Sequence, residues 1–181
     1  MTNSTNMFSS ETSPTFIVVG YGNPHRGDDA IGQKVVTQLQ ALNFPALEAY
    51  SVSYLTPELS SKLARANIAI FVDACKLSNA KTLQIKPLEP YGTEATGSAL
   101  PGFGHSCSPC SLLALTQSVY GHFPKAWWVE VPASDFSMGQ PPSDLAERGV
   151  EQALRTIASL IAQQLLRPYD SEIGAYPQRS A

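Results

Sequence analysis

The chain has 181 residues, of which 43% are apolar and 15% charged, with a formal net charge of −3 and a pI near 5.6. This length and composition predict one globular domain with a sizeable core. The acidic balance lacks the basic stripe that phosphate backbones require, which argues against nucleic acid as a partner. No apolar stretch is long enough to span a membrane, so we expect no membrane association.

Both ends of the sequence differ in composition from its middle. The first residues are rich in Ser, Thr and Asn and lack the basic and apolar regions of a secretory signal. We expect residues 1–14 to be a disordered leader and residues 167–181 a flexible tail, flanking one domain of residues 15–166. Three cysteines without an export signal indicate reduced thiols and a cytoplasmic location.

Segments with strand and helix periodicity alternate along the chain. Short apolar runs rich in β-branched residues predict strands, and apolar residues three and four apart predict helices. The predicted strands cover residues 15–19, 46–52, 68–72, 81–89 and 125–133. The predicted helices cover residues 31–42, 56–66, 109–121 and 141–166. Thr56 and Ser108 are the expected N-caps of the second and third helices, each followed by a proline.

This order of elements predicts an α/β fold: a single three-layer α/β/α domain on a twisted, mostly parallel sheet of about five strands. The fourth strand alternates polar and apolar residues, which is typical of an edge or one-sided strand. In such folds ligands bind in the crevice outside the carboxyl ends of the strands. Polar residues directly after the predicted strands are therefore the candidates for chemistry.

The stretch GYGNPHRGDDAIG follows the first predicted strand. A dinucleotide fingerprint, G-x-G-x-x-G, would need glycine where His25 stands, and no P-loop lysine follows. The acidic residue that would bind a ribose is also missing, because Glu48 lies inside the next predicted strand. Nucleotide binding is therefore kept only as an alternative.

The same stretch contains two adjacent acidic residues, Asp28 and Asp29. One interpretation is helix capping, since an aspartate at a helix N-terminus satisfies free N–H groups. Capping does not explain two neighbouring carboxylates, whose mutual repulsion a bound cation would relieve. Asp73 at the end of the third predicted strand and His105 in a long loop fall at the same edge of the predicted sheet. Turn formation is an equally open interpretation of Asp73. Together Asp29, Asp73 and His105 would offer an oxygen and nitrogen ligand set suited to zinc or nickel.

Cys107 and Cys110 form a C-x-x-C pair at the start of the third predicted helix. A structural zinc site normally needs a second ligand pair, and only Cys75 remains. A redox pair is conceivable, because a helix N-terminus lowers the pKa of a thiol. Two small, partly buried thiols without a chemical role are the other interpretation.

Four segments occur in an order and at a spacing that match a known family: VVGYGNPHRGDDAIG, SYLTPEL, IFVDA and GHSCSPCSLLAL. With them, residues 15–166 resemble the [NiFe]-hydrogenase maturation proteases, with closest similarity to the type serving bidirectional NAD(P)-linked hydrogenases. The resemblance implies an endopeptidase that removes a C-terminal extension from the hydrogenase large-subunit precursor after nickel insertion. The implied partner is that precursor. We expect a monomer, because the sequence has no long coiled coil and no exposed apolar strip that would argue against one.

The resemblance places the family's metal contacts on Asp29, Asp73 and His105. A catalytic role of Asp29 as a general base is a separate hypothesis, drawn from the chemistry of metal-assisted hydrolysis. Nickel would be supplied by the substrate, and another divalent cation in the free enzyme is an open alternative. Asn23, Tyr54 and Thr56 are the expected substrate contacts. Two other functions stay open: a non-catalytic nickel-binding or docking module, and a nucleotide- or redox-linked α/β protein.

Overall fold

The computed structural model describes residues 15–76, 78–90 and 107–166. A five-stranded sheet runs through its centre, in the order β2-β1-β3-β5-β4. Its strands are β1 (Phe16–Tyr21), β2 (Leu47–Val52), β3 (Ile68–Lys76), β4 (Gln84–Leu88) and β5 (Lys125–Ala133). All neighbouring pairs are parallel except β4 with β5. The mostly parallel α/β sheet predicted from the sequence is confirmed.

Helices cover both faces of this sheet. They are α1 (Ile31–Ala41), α2 (Ser60–Leu63), α3 (Pro109–Tyr120) and α4 (Asp144–Leu165), with 3₁₀ turns at Gly27–Ala30 and Pro57–Leu59. One hydrophobic core lies between the sheet and α1 with α4, and a second lies between the sheet and α2 with α3. Alternate residues of β1 enter the two cores, so that the whole strand is apolar, as expected for a strand covered on both sides.

The edge strand β4 differs from the central strands. Leu88 is buried, whereas Ile85 is 45% exposed. One covered face and one open face explain the alternation of polar and apolar residues in its sequence. The predicted edge position of this strand is confirmed.

The predicted helix over residues 56–66 is only partly correct. The chain forms a 3₁₀ turn and then one short turn of α2, and Thr56 stands at the N-cap position without a capping hydrogen bond from its side chain. The helix ends before Asn67, because the Asn67 N–H donates to the Thr15 carbonyl at 3.0 Å and not to a carbonyl of the preceding helical turn. The predicted cap of α3 is confirmed, since Ser108 and Ser111 form a reciprocal capping box.

Three glycines let helices approach the sheet closely. A Cβ on Gly32 of α1 would lie 2.5 Å from the Val72 carbonyl oxygen and 2.6 Å from that of Tyr21. A Cβ on Gly20 would lie 1.9 Å from the Gly32 carbonyl oxygen. Gly149 of α4 faces Val131 of β5 so closely that a Cβ would lie 2.4 Å from its Cγ1. Glycine is required at these positions for packing.

None of the described helices combines the length and the apolar character that crossing a membrane needs. The predicted leader (residues 1–14) and tail (residues 167–181) lie outside the described residues, and both stay predictions.

We predict that Gly32→Ala lowers the free energy of unfolding by about 3 kcal/mol or more, because the added methyl group meets backbone atoms that cannot move aside. Gly121→Ala is the matched control. Gly121 has a φ of 76° and open space around its Cβ position, so the control carries only the left-handed backbone cost of about 1 kcal/mol. Chemical denaturation of both variants measures the difference, and equal losses would contradict the packing argument.

Candidate metal-binding site at the carboxyl edge of the sheet

The candidate site lies where the parallel strands end, at what we call the carboxyl edge. The connection from β1 to α1 crosses this edge and begins with Gly22, whose φ is 139°. A Cβ on Gly22 would lie 2.0 Å from the Asp29 carbonyl oxygen, so only glycine lets the chain fold back on itself here. Gln33 closes the same connection from α1, because its Nε2 donates to the carbonyls of Gly22 at 2.8 Å and Val52 at 2.9 Å.

Asp29 is held in place by the turn that precedes it. Its Oδ2 accepts a hydrogen bond of 2.9 Å from the Asn23 backbone N–H. The Asn23 side chain in turn accepts one of 2.9 Å from the His25 N–H, which is an Asx-type turn. Asn23 therefore shapes the turn and supports Asp29, and its predicted contact with substrate stays a prediction.

Asp28 has a structural role that the sequence did not reveal. Its carboxylate is fully buried and accepts backbone N–H groups from Ser134, Asp135 and Ser143 at 2.8, 3.0 and 2.6 Å. The Ser143 hydroxyl also donates to it at 2.9 Å, while accepting from the Ala146 N–H as the N-cap of α4. Burial alone would raise the pKa of Asp28, but the hydrogen bonds from Ser143, Asp135 and Ser134 outweigh it and hold the pKa below its usual value. Asp28 thus ties the β1–α1 connection to the β5–α4 connection instead of capping its own helix.

Asp73 is placed on the same edge but in a different environment. β3 continues to Lys76, so Asp73 lies inside the strand and not at its end as predicted. Burial raises the pKa of Asp73 to about 7, opposed by hydrogen bonds from the Tyr21 hydroxyl and the Ala74 N–H. The negative charges of Asp29 and Glu130 raise it further. A carboxylate that is costly to ionise and has a second carboxylate beside it is a favourable place for a cation.

The charge of Glu130 is balanced from the edge strand. Glu130 is the register neighbour of Asp73 on β5, and its side chain forms an ion pair with Lys86 of β4. The Lys86 ammonium also lies 5.9 Å from the centre of the Trp128 ring. Asp73 therefore has two acidic neighbours. The charge of Glu130 is balanced by Lys86, whereas Asp29 has no ion-pair partner among the described residues.

The predicted third ligand, His105, lies outside the described residues. Within the described ranges, no three His, Cys, Asp or Glu side chains come together closely enough to hold a metal ion. The structure thus brings two of the three predicted ligands, Asp29 and Asp73, within electrostatic reach of each other. The role of His105 stays a prediction.

The loop after β2 carries the other predicted substrate contacts. Tyr54 is 54% exposed and Thr56 is partly exposed, whereas Leu55 between them is buried. The Leu55 carbonyl accepts a hydrogen bond of 2.9 Å from the Cys107 N–H. This bond joins the loop to the start of α3, which also lies at the carboxyl edge because α3 leads back into the parallel strand β5. Substrate contact by Tyr54 and Thr56 stays a prediction.

The cysteines give little support to redox chemistry. None of the three cysteines forms a disulfide bond. Burial raises the pKa of the Cys107 thiol, with a further contribution from the charge of Glu58. Burial likewise raises the pKa of Cys75. A raised pKa disfavours the reactive thiolate, contrary to the lowered value that a redox pair at a helix N-terminus would need.

Tyr21 and the Glu130–Lys86 pair are the members of this cluster that the sequence analysis missed. A tyrosine ending an apolar strand and a Lys–Glu pair on neighbouring strands carry no motif. The signal that could have found them is register: Gly20 pairs with Val72, which places Tyr21 beside Asp73, and Asp73 pairs with Glu130.

Comparison with known proteins supports a shared fold. No protein-family profile and no curated protein sequence matches the chain. Among solved structures, the [NiFe] hydrogenase maturation protease HycI from Thermococcus kodakarensis superposes with a TM-score of 0.66 at 19% identity, covering 86% of this chain and 96% of that one. The hydrogenase maturating endopeptidase HybD from E. coli gives a TM-score of 0.68 at 22% identity, covering 82% of this chain and 93% of that one.

A third solved structure, the [NiFe] hydrogenase maturation protease HybD from Thermococcus kodakarensis, gives a TM-score of 0.58 at 16% identity and covers 81% of this chain and 99% of that one. These superpositions show that the chain has the fold of these enzymes along nearly their whole length, and at identities below 25% they show the fold alone. Activity has to be argued from the site.

We predict that Asp28→Asn lowers the free energy of unfolding by about 3 kcal/mol, or roughly 6–12 °C in Tm, because an amide cannot accept every donor that surrounds this carboxylate. Asp144→Asn, the same chemical change at an exposed position in the first turn of α4, is the control and should cost about 0.5 kcal/mol. Calorimetry compares the two variants. A loss no larger than that of the control would show that Asp28 is not the connection between the two loops.

We also predict a pH-dependent effect of Asp73→Asn on the stability of the protein in the presence of a chelator. The folded-state pKa of about 7 exceeds the ordinary value of 3.8, so the folded state binds the extra proton between these values and loses stability as pH rises through 7. At pH 8 the variant should be more stable than the wild type by at most roughly 4 kcal/mol. Below pH 4 this advantage should vanish. A Tm difference that is constant from pH 4 to pH 8 would contradict the raised pKa.

Proposed function

We propose that the protein is an endopeptidase that removes the C-terminal extension of a [NiFe]-hydrogenase large-subunit precursor after nickel insertion. The observation that carries this proposal is the pair Asp29 and Asp73, coupled across the carboxyl edge. The pair occurs on a fold whose solved examples include hydrogenase maturation proteases. The edge is also where parallel α/β folds bind ligands.

In this proposal the nickel of the precursor is part of the substrate. Asp29 and Asp73 bind it together with His105. These two carboxylates and one imidazole therefore distinguish a precursor that contains nickel from one that does not. A nickel-free precursor offers nothing for these side chains to bind, and the two carboxylates then repel each other. Recognition of the metal thereby delays cleavage until insertion is complete.

The chemistry follows from the position of Asp29. Asp29, Asp73 and His105 would hold the nickel of the precursor, which would supply Lewis acidity at the scissile carbonyl. Asp29 accepts a proton from the attacking water and delivers it to the leaving amine, while the peptide bond breaks. The Asn23 N–H at 2.9 Å fixes the Asp29 carboxylate for this transfer. Water attacks directly, without an acyl-enzyme intermediate.

The finer assignments belong to the same proposal. We assign the precursor to a bidirectional NAD(P)-linked hydrogenase, on the segments around Asp29, Tyr54, Asp73 and His105. The enzyme acts as a monomer in the cytoplasm, where the precursor is processed. In the free enzyme the same residues offer a place for another divalent cation.

We predict that the protein shortens a nickel-loaded precursor by its C-terminal peptide and leaves the nickel-free precursor intact, as followed by mass spectrometry. Asp29→Asn should slow cleavage about 100-fold or more, because the general base is lost. Asp73→Asn and His105→Ala should each slow it about 10- to 100-fold. Asp144→Asn, exposed on α4, should cleave at the wild-type rate.

The other outcomes separate the alternatives. Nickel binding without cleavage of the cognate, loaded precursor would favour a non-catalytic nickel-binding or docking module. A rise in Tm on adding a nucleotide would favour a nucleotide-linked protein, since a ligand stabilises the folded state that binds it. An unchanged rate for Asp29→Asn would remove Asp29 from the proton transfer.

A further inference from the structure

Tyr21 connects the end of β1 to the candidate site. It is the last residue of the strand, and the pairing of Gly20 with Val72 places it beside Asp73 on the neighbouring strand. Its side chain packs against the core beneath α2 and α3, and its hydroxyl is hydrogen-bonded to the Asp73 side chain. The proposed catalytic scheme does not use this residue.

The surroundings of Tyr21 keep its hydroxyl a donor. Burial raises the pKa of Tyr21 well above its usual value, and the charge of Asp73 raises it further. The phenol donates a hydrogen bond to the Asp73 side chain. Trp128 of β5 lies close enough to lower the pKa of Tyr21, although its buried indole N–H has no hydrogen-bond partner of acceptable geometry among the described residues. Because an indole N–H can only donate, Trp128 does not compete with Asp73 for the hydroxyl proton of Tyr21.

The two candidate metal ligands are each held from the same short segment. Tyr21 donates to Asp73, and the backbone N–H of Asn23 donates to Asp29 at 2.9 Å. Only Gly22 separates these two donors, and its conformation is one that other residues rarely adopt. The donors to both carboxylates therefore lie within residues 21–23, two positions apart in the chain.

Asp73 would otherwise be free to turn. Its Oδ1 accepts from the N–H of the next residue, Ala74, at 2.8 Å, which is a local bond that fixes the side chain only at one oxygen. On the other side lies Glu130, which is held by Lys86 and repels the Asp73 charge. Hydrogen bonds to a metal-binding carboxylate orient it and are typically worth a 10- to 100-fold difference in metal affinity or activity.

We propose that Tyr21 is a positioning residue that holds the Asp73 carboxylate in the orientation in which, together with Asp29, it binds the nickel of the precursor. This inference rests on the proposed function and deepens it by assigning the spacing of the ligand pair to residues 21–23. It requires that Tyr21 acts only through Asp73.

The experiment compares Tyr21→Phe with Tyr50→Phe. Both substitutions remove one hydroxyl that serves a carboxylate: Tyr50 donates to Glu48 at 2.5 Å on the outer strand β2. Each is combined with Asp73→Asn, and three quantities are measured. These are the affinity for Ni²⁺ alone by calorimetric titration, kcat and KM for the nickel-loaded precursor, and Tm.

We expect Tyr21→Phe to weaken Ni²⁺ binding roughly tenfold, and to lower kcat/KM for the loaded precursor similarly, in the wild-type background. In the Asp73→Asn background it should have no further effect, since interacting residues are non-additive. Tyr50→Phe should leave both quantities unchanged in either background. Similar Tm values for the two phenylalanine variants would show that the difference is not one of folding.

The other results overturn the Tyr21 proposal, the proposed function, or both. If Tyr21→Phe matches Tyr50→Phe in Ni²⁺ affinity and kinetics, the hydroxyl has only a structural role. Equal losses in both backgrounds would mean that Tyr21 acts independently of Asp73. If the wild type binds Ni²⁺ but does not cleave the precursor, the proposed function fails. The Ni²⁺ affinities of the Tyr21→Phe variants then still test whether Tyr21 positions Asp73. A wild type that neither binds Ni²⁺ nor cleaves would overturn both.

Discussion

The backbone of α1 rests directly on the backbones of β1 and β3, and the candidate site takes its position from this contact. Gly20 and Gly32 make the approach possible, because a methyl group on either would meet backbone atoms at less than the closest normal distance. The helix start is thereby fixed at the centre of the sheet, and the connection before it is short and tightly folded. Asp29 lies in that connection, and Asp73 lies on the strand that α1 touches.

Aspartates within one site differ in role because their surroundings differ. Asp28 is buried among N–H groups that stabilise its charge, so it works as a permanent anion that joins two loops. Asp73 is buried with few donors and two acidic neighbours, so its charge is costly until something positive arrives. The first environment serves the architecture, and in the second a nearby positive charge would favour ionisation of the carboxylate. Position relative to backbone donors decides between the two roles.

The sequence predicts the architecture well, because hydrophobic periodicity reports burial. The five strands, the edge position of β4 and the cap at Ser108 follow from local patterns. Asp29 and Asp73 were found because polar residues near the ends of parallel strands must share an edge. Tyr21 and the partners of Asp28 could not be found in this way. Their contacts depend on strand register and on a hydrogen bond between residues 115 positions apart, which no local pattern encodes.

The bonds between Asp28 and Ser143 also make the candidate site depend on the far end of the domain. Asp29 lies in the first connection of the sheet, but that connection is anchored in the loop before α4. Residues 115 positions apart must therefore meet before the connection is held in place. A chain that ends before α4 lacks this anchor, so the site is complete only when almost the whole domain has been made.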